Sequence, residues 1–144
     1  MVGREEPERQ MKIVECQLVR VVMSETQDSH ILWLKEKDGE RKMRIAIGLF
    51  EVFAIHRTLN GQTFSRPLTH ELFGSVLDTL GATIEAVVVN ELRDETFFGR
   101  LMLKQNGKTY DIDTRPSDGI ALALQQGAPI FVEDSVLTQA NREM

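Results

Sequence analysis

Three carboxylates stand close together in Tyr110-Asp-Ile-Asp-Thr-Arg-Pro-Ser-Asp118. Asp111 and Asp113 are two apart on what reads as a strand, so they share a face at roughly 6.5 to 7 Å, and Asp118 falls in the first turn of the following helix. Converging there, they could hold a hard divalent ion such as Mg²⁺, which takes oxygen ligands and keeps several waters. The same residues have a structural use: Ser117 can cap a helix begun by Pro116, and Asp118 complements its dipole. Arg115 could pair bidentately with one of these aspartates or with a phosphate, internal pairing being the simpler fate.

A second constellation is Arg66-Pro-Leu-Thr-His-Glu71. Arg66 enters a helix whose N-terminus is itself an anion site, and His70 has a cation and a carboxylate close in sequence. Such a histidine could act as general acid or base on a phosphodiester. Against this stands plain helix capping by Thr69 with His70 exposed. His30 and His56 receive no role, since one borders a strand at a turn and the other reads as a packing residue. Glu51 is the lone acid of an apolar helix; pairing with Arg57 or Arg44 is favoured over a buried carboxyl with a raised pKa.

These groups sit in a chain of 144 residues, 42% hydrophobic and 27% charged, which has the size and composition of one globular domain. A single cysteine, Cys16, excludes a disulfide framework and suits a reducing, cytoplasmic setting. No run approaches the ~18 apolar residues of a membrane span, and the first ten residues are too charged for a signal peptide. The net charge of −5 argues against tight nonspecific nucleic-acid binding. Between Arg41 and Arg66, however, five bases face one acid. Lys42, Arg44, Arg57 and Arg66 are therefore the candidates for a local basic patch, with pairing to Glu36, Asp38 and Glu40 across a hairpin as the alternative.

The elements that must position these residues follow from periodicity. Residues 1–11 are charged and aperiodic and read as a mobile tail, leaving 12–141 as the domain. Val14, Cys16, Leu18 and Val22 alternate with Glu15 and Gln17 as a first strand. Ile31–Leu34 and Met43–Ile47 follow around Asp38-Gly39. Leu49–Leu59 has helical spacing with little polar face and reads as well buried. A second helix runs from Thr69 with Leu72, Phe73, Val76, Leu77 and Leu80 as its apolar stripe, ending at Gly81. Three further strands span Ile84–Leu92, Phe97–Leu103 and Thr109–Ile112, the last two joined at Asn106-Gly107. Pro116 starts a helix stopped at Gly127, followed by a short extended Pro129-Ile-Phe-Val and a final helical turn. This βββ-αα-βββ-α order predicts an α+β domain with largely antiparallel sheets and helices packed on them. Apolar residues on both sides of Val87-Val88-Val89 and Leu101-Met102-Leu103 point to a homo-oligomer. The seven phenylalanines read mostly as core.

Arg66-Pro-Leu-Thr-His-Glu-Leu, Asp94-Glu-Thr-Phe-Phe-Gly-Arg-Leu, Ile112-Asp-Thr-Arg-Pro-Ser-Asp-Gly-Ile-Ala-Leu-Ala and Pro129-Ile-Phe-Val together resemble the bifunctional nuclease domain family, over about Met11 to Ala140. The resemblance implies a compact α+β domain and, for plant relatives, hydrolysis of DNA and RNA. Carried over by position are Arg66, Thr69, His70, Asp113, Arg115, Ser117 and Asp118. The chain departs from the usual pattern in having Glu71 where relatives have Asp, and Gly119 where they have Ala. Gly119 is expected chiefly to weaken its helix, by up to roughly 1 kcal/mol.

The expectation is a nuclease-like phosphodiesterase. His70, Asp113 and Asp118 are its catalytic candidates, and Arg66, Arg115, Lys42 and Arg44 its substrate-binding ones. Asp111, Asp113 and Asp118 are candidate ligands for Mg²⁺ or Mn²⁺, and no organic cofactor is expected. Nucleic acid and a second copy of the chain are the expected partners, with no membrane. The competing expectation is a noncatalytic ligand-binding or protein-interaction module of the same fold.

Overall fold

Alternating apolar residues make the first three strands. In the computed structural model, which describes residues 12–143, β1 (Ile13–Val22), β2 (His30–Glu36) and β3 (Lys42–Ile47) form an antiparallel meander. Leu32 and Leu34 of β2, and Met43, Ile45 and Ile47 of β3, alternate into the core as a period of two requires. In β1 that period breaks. The β1–β2 register shifts between Leu18 and Arg20, so Val21 packs on the core and Val22 is left 43% exposed. A bulge reverses which side each later residue faces, which simple alternation cannot foresee. The expected tail at 1–11 lies outside the described residues.

Helices α1 (Leu49–Leu59) and α2 (Thr69–Thr79) follow, then the meander β4 (Ala82–Arg93), β5 (Thr96–Gln105) and β6 (Lys108–Thr114). The chain closes with α3 (Pro116–Gln126), β7 (Ile130–Glu133) and α4 (Asp134–Arg142). Asn106 and Gly107 both take positive φ, as the expected two-residue hairpin demands. Asp94 and Glu95 do the same without a glycine. The seven strands form one sheet in the order β3-β2-β1-β7-β4-β5-β6. The expected short extended piece is therefore its central strand, antiparallel to β1 and parallel to β4. The molecule is a single α+β domain, with a mostly antiparallel sheet and four helices packed on it.

The main core gathers Leu32, Leu34 and Met43 with Val52 and Ile55 of α1, Ile120 of α3 and Leu137 of α4. Burying each such side chain stabilises the fold by about 1.5 to 3 kcal/mol. A smaller cluster joins Leu77 and Leu122 to Ile84, Leu101 and Leu103. Helix α3 lies so close to the sheet that a Cβ on Gly119 would sit 2.6 Å from Val87 Cγ2 and 3.0 Å from Thr114 Cγ2. Gly119 thus permits close packing, and the expectation that it merely weakens the helix is corrected.

The apolar surface is distributed differently from the sequence expectation. Val87–Val89 and Leu101 and Leu103 are buried within the domain, so these strands leave little apolar surface for another subunit. The apolar surface lies instead on α1, expected to be well buried, and on the apolar stripe of α2. Phe50 of α1 is 79% exposed, and Leu72, Phe73 and Val76 of α2 are each more than two-fifths exposed, with only Leu77 of the predicted stripe buried. Four phenylalanines, Phe50, Phe53, Phe64 and Phe73, are surface residues. Among the described residues, no helix is long and apolar enough to cross a membrane.

Candidate functional site

β6 ends at Thr114, and Arg115, in extended conformation, hands the chain to α3 with Pro116 in its first turn. No side chain caps this start. The Asp118 carboxylate reaches sideways instead: Oδ1 lies 3.0 Å from Nε2 of His70, and Oδ2 accepts from Arg115 Nε at 2.8 Å. The Arg115 Nη2 group, 2.7 Å from Asp118, also meets Glu51 Oε1 at 2.8 Å. His70, Asp118, Arg115 and Glu51 therefore form one continuous chain of charged and polar contacts linking α2, α3 and α1. Residues 68–70 and 112–115 with Asp118, distant in sequence, meet at a single concave surface.

Local structure sets each member. Thr69 and His70 are the first residues of α2, whose N-cap is Leu68 with no side-chain bond, so Thr69 is not the cap that its residue type suggested. Gly74 lets α2 approach α3 closely enough for Gln125 Nε2 to donate to the His70 carbonyl at 3.2 Å. Glu51 stands in the first turn of α1, buried, where unpaired N–H groups and the helix dipole favour a carboxylate. Its Oε2 would lie 2.8 Å from a Cβ on Gly48, so that glycine makes room for it. The expected pairing of Glu51 with Arg57 or Arg44 is replaced by Arg115. Arg57 is taken instead by Glu71, with Nε–Oε1 at 2.7 Å and Nη2–Oε2 at 3.1 Å.

Glu51, Arg57, His70, Arg115 and Asp118 line a cleft of about 1460 Å³, together with Leu49, Phe53 and Phe73. His30, to which no role was assigned, also lines it: it is buried, and its Nδ1 accepts from the Ser24 N–H at 3.0 Å. Nothing in its sequence context signals this. The hydrogen bond from His70 and the guanidinium of Arg115 hold the Asp118 carboxyl below its ordinary range. Glu71 is likewise lowered, chiefly by its hydrogen bonds from Arg57.

Other predicted residues fall elsewhere. Asp111 and Asp113 share Arg100, at 2.7 and 3.5 Å, so the three aspartates divide between two arginine partners. Asp113 does line the cleft. Among the described residues, no group of three His, Cys, Asp or Glu side chains is arranged to hold a metal ion. The donor set does not fit a preformed Mg²⁺ or Mn²⁺ site, because Asp118 is already engaged through both oxygens. Arg66 lies in an exposed bend ahead of α2. Lys42 and Arg44 are on exposed positions of β3, and Arg44 borders a separate hollow with Leu92, Glu95 and Phe97. The expected patch of Lys42, Arg44, Arg57 and Arg66 is thus not continuous, since Arg57 is consumed by Glu71. The hairpin alternative fails too, because Glu36 pairs with Arg41, at 2.8 Å.

Fold and cleft define a class: an α+β domain in which a histidine, an aspartate and an arginine supported by a buried glutamate converge at an open hollow. Residues 32–144 match the model of the bifunctional nuclease domain, and the chain belongs to that family. Two relatives are the uncharacterized protein MT1877 of Mycobacterium tuberculosis strain CDC 1551 / Oshkosh and the uncharacterized protein Rv1829 of strain ATCC 25618 / H37Rv. Each is 36% identical over 126 residues, covering 88% of this chain and 75% of the relative.

Proposed function

We propose that the cleft hydrolyses phosphodiester bonds of DNA or RNA. The observation that carries this reading is the contact of His70 with Asp118, which itself holds Arg115. With Nε2 directed to Asp118, the neutral imidazole keeps its proton there and leaves Nδ1 as the basic nitrogen. His70 then takes a proton from the attacking water as the O–P bond forms, and the leaving oxygen departs with a proton from solvent. Arg115, two-thirds exposed while anchored by Asp118 and Glu51, offers its remaining N–H groups as hydrogen-bond donors to a phosphoryl oxygen. Asp113, on the cleft wall, is assigned no step. The divalent-cation assistance expected from the sequence would require Asp118 to release a partner, so no step is routed through it.

The test is an assay of the purified chain on single- and double-stranded DNA and RNA, in Mg²⁺, Mn²⁺ or EDTA. Hydrolysis by the native chain, reduced about 10²-fold or more in His70→Asn, supports the reading. No hydrolysis under any condition, or full activity of that variant, overturns it. The second reading, a noncatalytic binding module, draws on the apolar walls of the cleft and returns if a ligand binds without turnover.

In this reading the protein works in the cytoplasm, where its one thiol, buried in Cys16, stays reduced. A homo-oligomer remains a proposal. Its contact would join the exposed Leu72 and Val76 of α2, with Leu80 just past the helix end, to the same residues of a second copy. Light scattering showing only a 16.4 kDa monomer at micromolar concentration overturns it.

A further inference from the structure

The face of β1, β2 and β3 turned away from the core carries a constellation that the cleft does not use. Pairing register places Arg20 opposite Trp33 and Trp33 opposite Arg44, in one row across three strands. The next row on the same face is Gln17, Lys35 and Lys42. Four cations and no acid occupy these two rows, in a chain whose net charge is −5. None of the four forms a salt bridge among the described residues. Glu15, beside them on β1, is paired with Lys37 at 3.2 Å.

Like charges directly opposite on neighbouring strands, as Lys35 and Lys42 are, destabilise a sheet. The Lys35–Lys42 pairing therefore has no structural benefit of its own. Arg20 stacks on Trp33 and Arg44 borders a hollow with Glu95 and Glu143, but among the described residues no salt bridge balances any of the four, and the face suits a polyanion that supplies counter-charge. At its centre Trp33 is partly exposed, with the Arg20 guanidinium 5.3 Å from its ring centroid. An aromatic face among cations is the means by which single strands are held, with bases stacking and phosphates meeting Lys and Arg. A broad sheet face does not enter the major groove of a duplex, and a paired base offers no free face to Trp33.

We propose that this outer face binds single-stranded nucleic acid, with a base on Trp33 and phosphates on Arg20, Lys35, Lys42 and Arg44. It lies on the opposite side of β2 from Leu32 and Leu34, which face the helices, and so is separate from the His70 cleft. The inference extends the nucleic-acid reading above but does not require that the cleft cut what this face holds.

Trp33 is the chain's one tryptophan, so its fluorescence reports this face alone. The full chain carrying His70→Asn is titrated with an oligothymidylate of about 12 nucleotides, within the usual site size of such surfaces. Saturable quenching that weakens with salt is expected. Lys42→Ala with Arg44→Ala should raise Kd about tenfold or more and flatten the log–log salt slope by about 1.4, from two lost phosphate contacts on a single strand. By anisotropy of a labelled oligomer, Trp33→Ala should weaken binding about tenfold. Absence of quenching up to about 100 µM oligomer overturns the proposal, as does indifference to both sets of substitutions. Equal affinity for the matching duplex also overturns it, and so does a blue shift of Trp33 on phosphatidylserine vesicles with tighter binding than to the oligomer, which assigns the face to a membrane. Binding retained without cleavage by the native chain sinks the cleft reading alone; cleavage retained without this binding sinks the outer face alone.

Discussion

Glu51 and Arg115 meet at 2.8 Å from opposite environments: the glutamate side chain is 7% exposed, the arginine side chain 68%. The buried partner is the one that depends on the contact. Loss of Arg115 leaves a carboxylate inside the fold with its charge unbalanced, whereas loss of Glu51 leaves an arginine that water can solvate.

Arg115→Ala is accordingly expected to destabilise the domain by about 1 to 3 kcal/mol, the usual penalty for stranding a buried polar group. Adding Glu51→Gln should recover part of that loss, because a neutral amide is less costly to leave unpaired. Denaturant unfolding of the single and double variants measures both. An unchanged midpoint for Arg115→Ala would show that Glu51 does not rely on it.

Gly119→Ala pits two effects against each other. Alanine favours the helix by up to about 1 kcal/mol. Its Cβ, however, meets Val87 and Thr114 at 2.6 and 3.0 Å, and overpacking a fitted interface costs about 1 to 3 kcal/mol. A net loss of about 1 kcal/mol is expected, read as a lower Tm. A raised Tm would mean that α3 can lift from the sheet at little penalty.

The β4–β5 hairpin turns through Asp94 and Glu95, with φ of 51° and 63°. A left-handed conformation is strained for a side-chain-bearing residue by roughly 1 to 2 kcal/mol, and aspartate tolerates it better than glutamate. Glu95→Gly is expected to stabilise the chain by about 0.5 to 1 kcal/mol, since the strain relieved exceeds the added unfolded-state freedom. Thermal unfolding that shifts downward would contradict this.

Acid should unfold the protein in a defined window. Glu36 is lowered from 4.5 to about 2, chiefly by the side-chain hydrogen bonds from Arg41, and Asp118 and Glu71 are shifted in the same direction. A carboxyl lowered in the fold adds stability that is fully present above its unfolded value and disappears as pH falls through the folded one. Tm should hold above about pH 5 and decline towards pH 2, and Arg41→Ala should make that decline shallower. A Tm flat across this range would contradict the assignment.

Much of the architecture was legible because its signals are local. Asn106-Gly107, Pro116 and Gly127 punctuate the chain where their backbone preferences demand, and β3 alternates without error from Lys42 to Ile47. The partners were not legible. Asp118 is separated from His70 by three strands and two hairpins, and no periodicity reports which of several carboxylates Arg57 will reach. Glu51 stood out as a lone acid in an apolar helix, yet its partner came from the far end of the sheet. The exposed phenylalanines were misread for a related reason: apolar spacing marks a face without saying whether anything covers it.

β7, only four residues long, is the strand through which the two three-stranded meanders become one sheet, and it follows all six of their strands in the chain. During synthesis each meander can form from contacts near in sequence, while the seam between them must wait for Ile130–Glu133 to emerge. The late element is thus the keystone, and the interval before it arrives leaves the inner edges of β1 and β4 open to mispairing with other nascent chains. Pulse-labelled hydrogen exchange during refolding should find β7 amides protected after those of the β2–β3 and β5–β6 ladders.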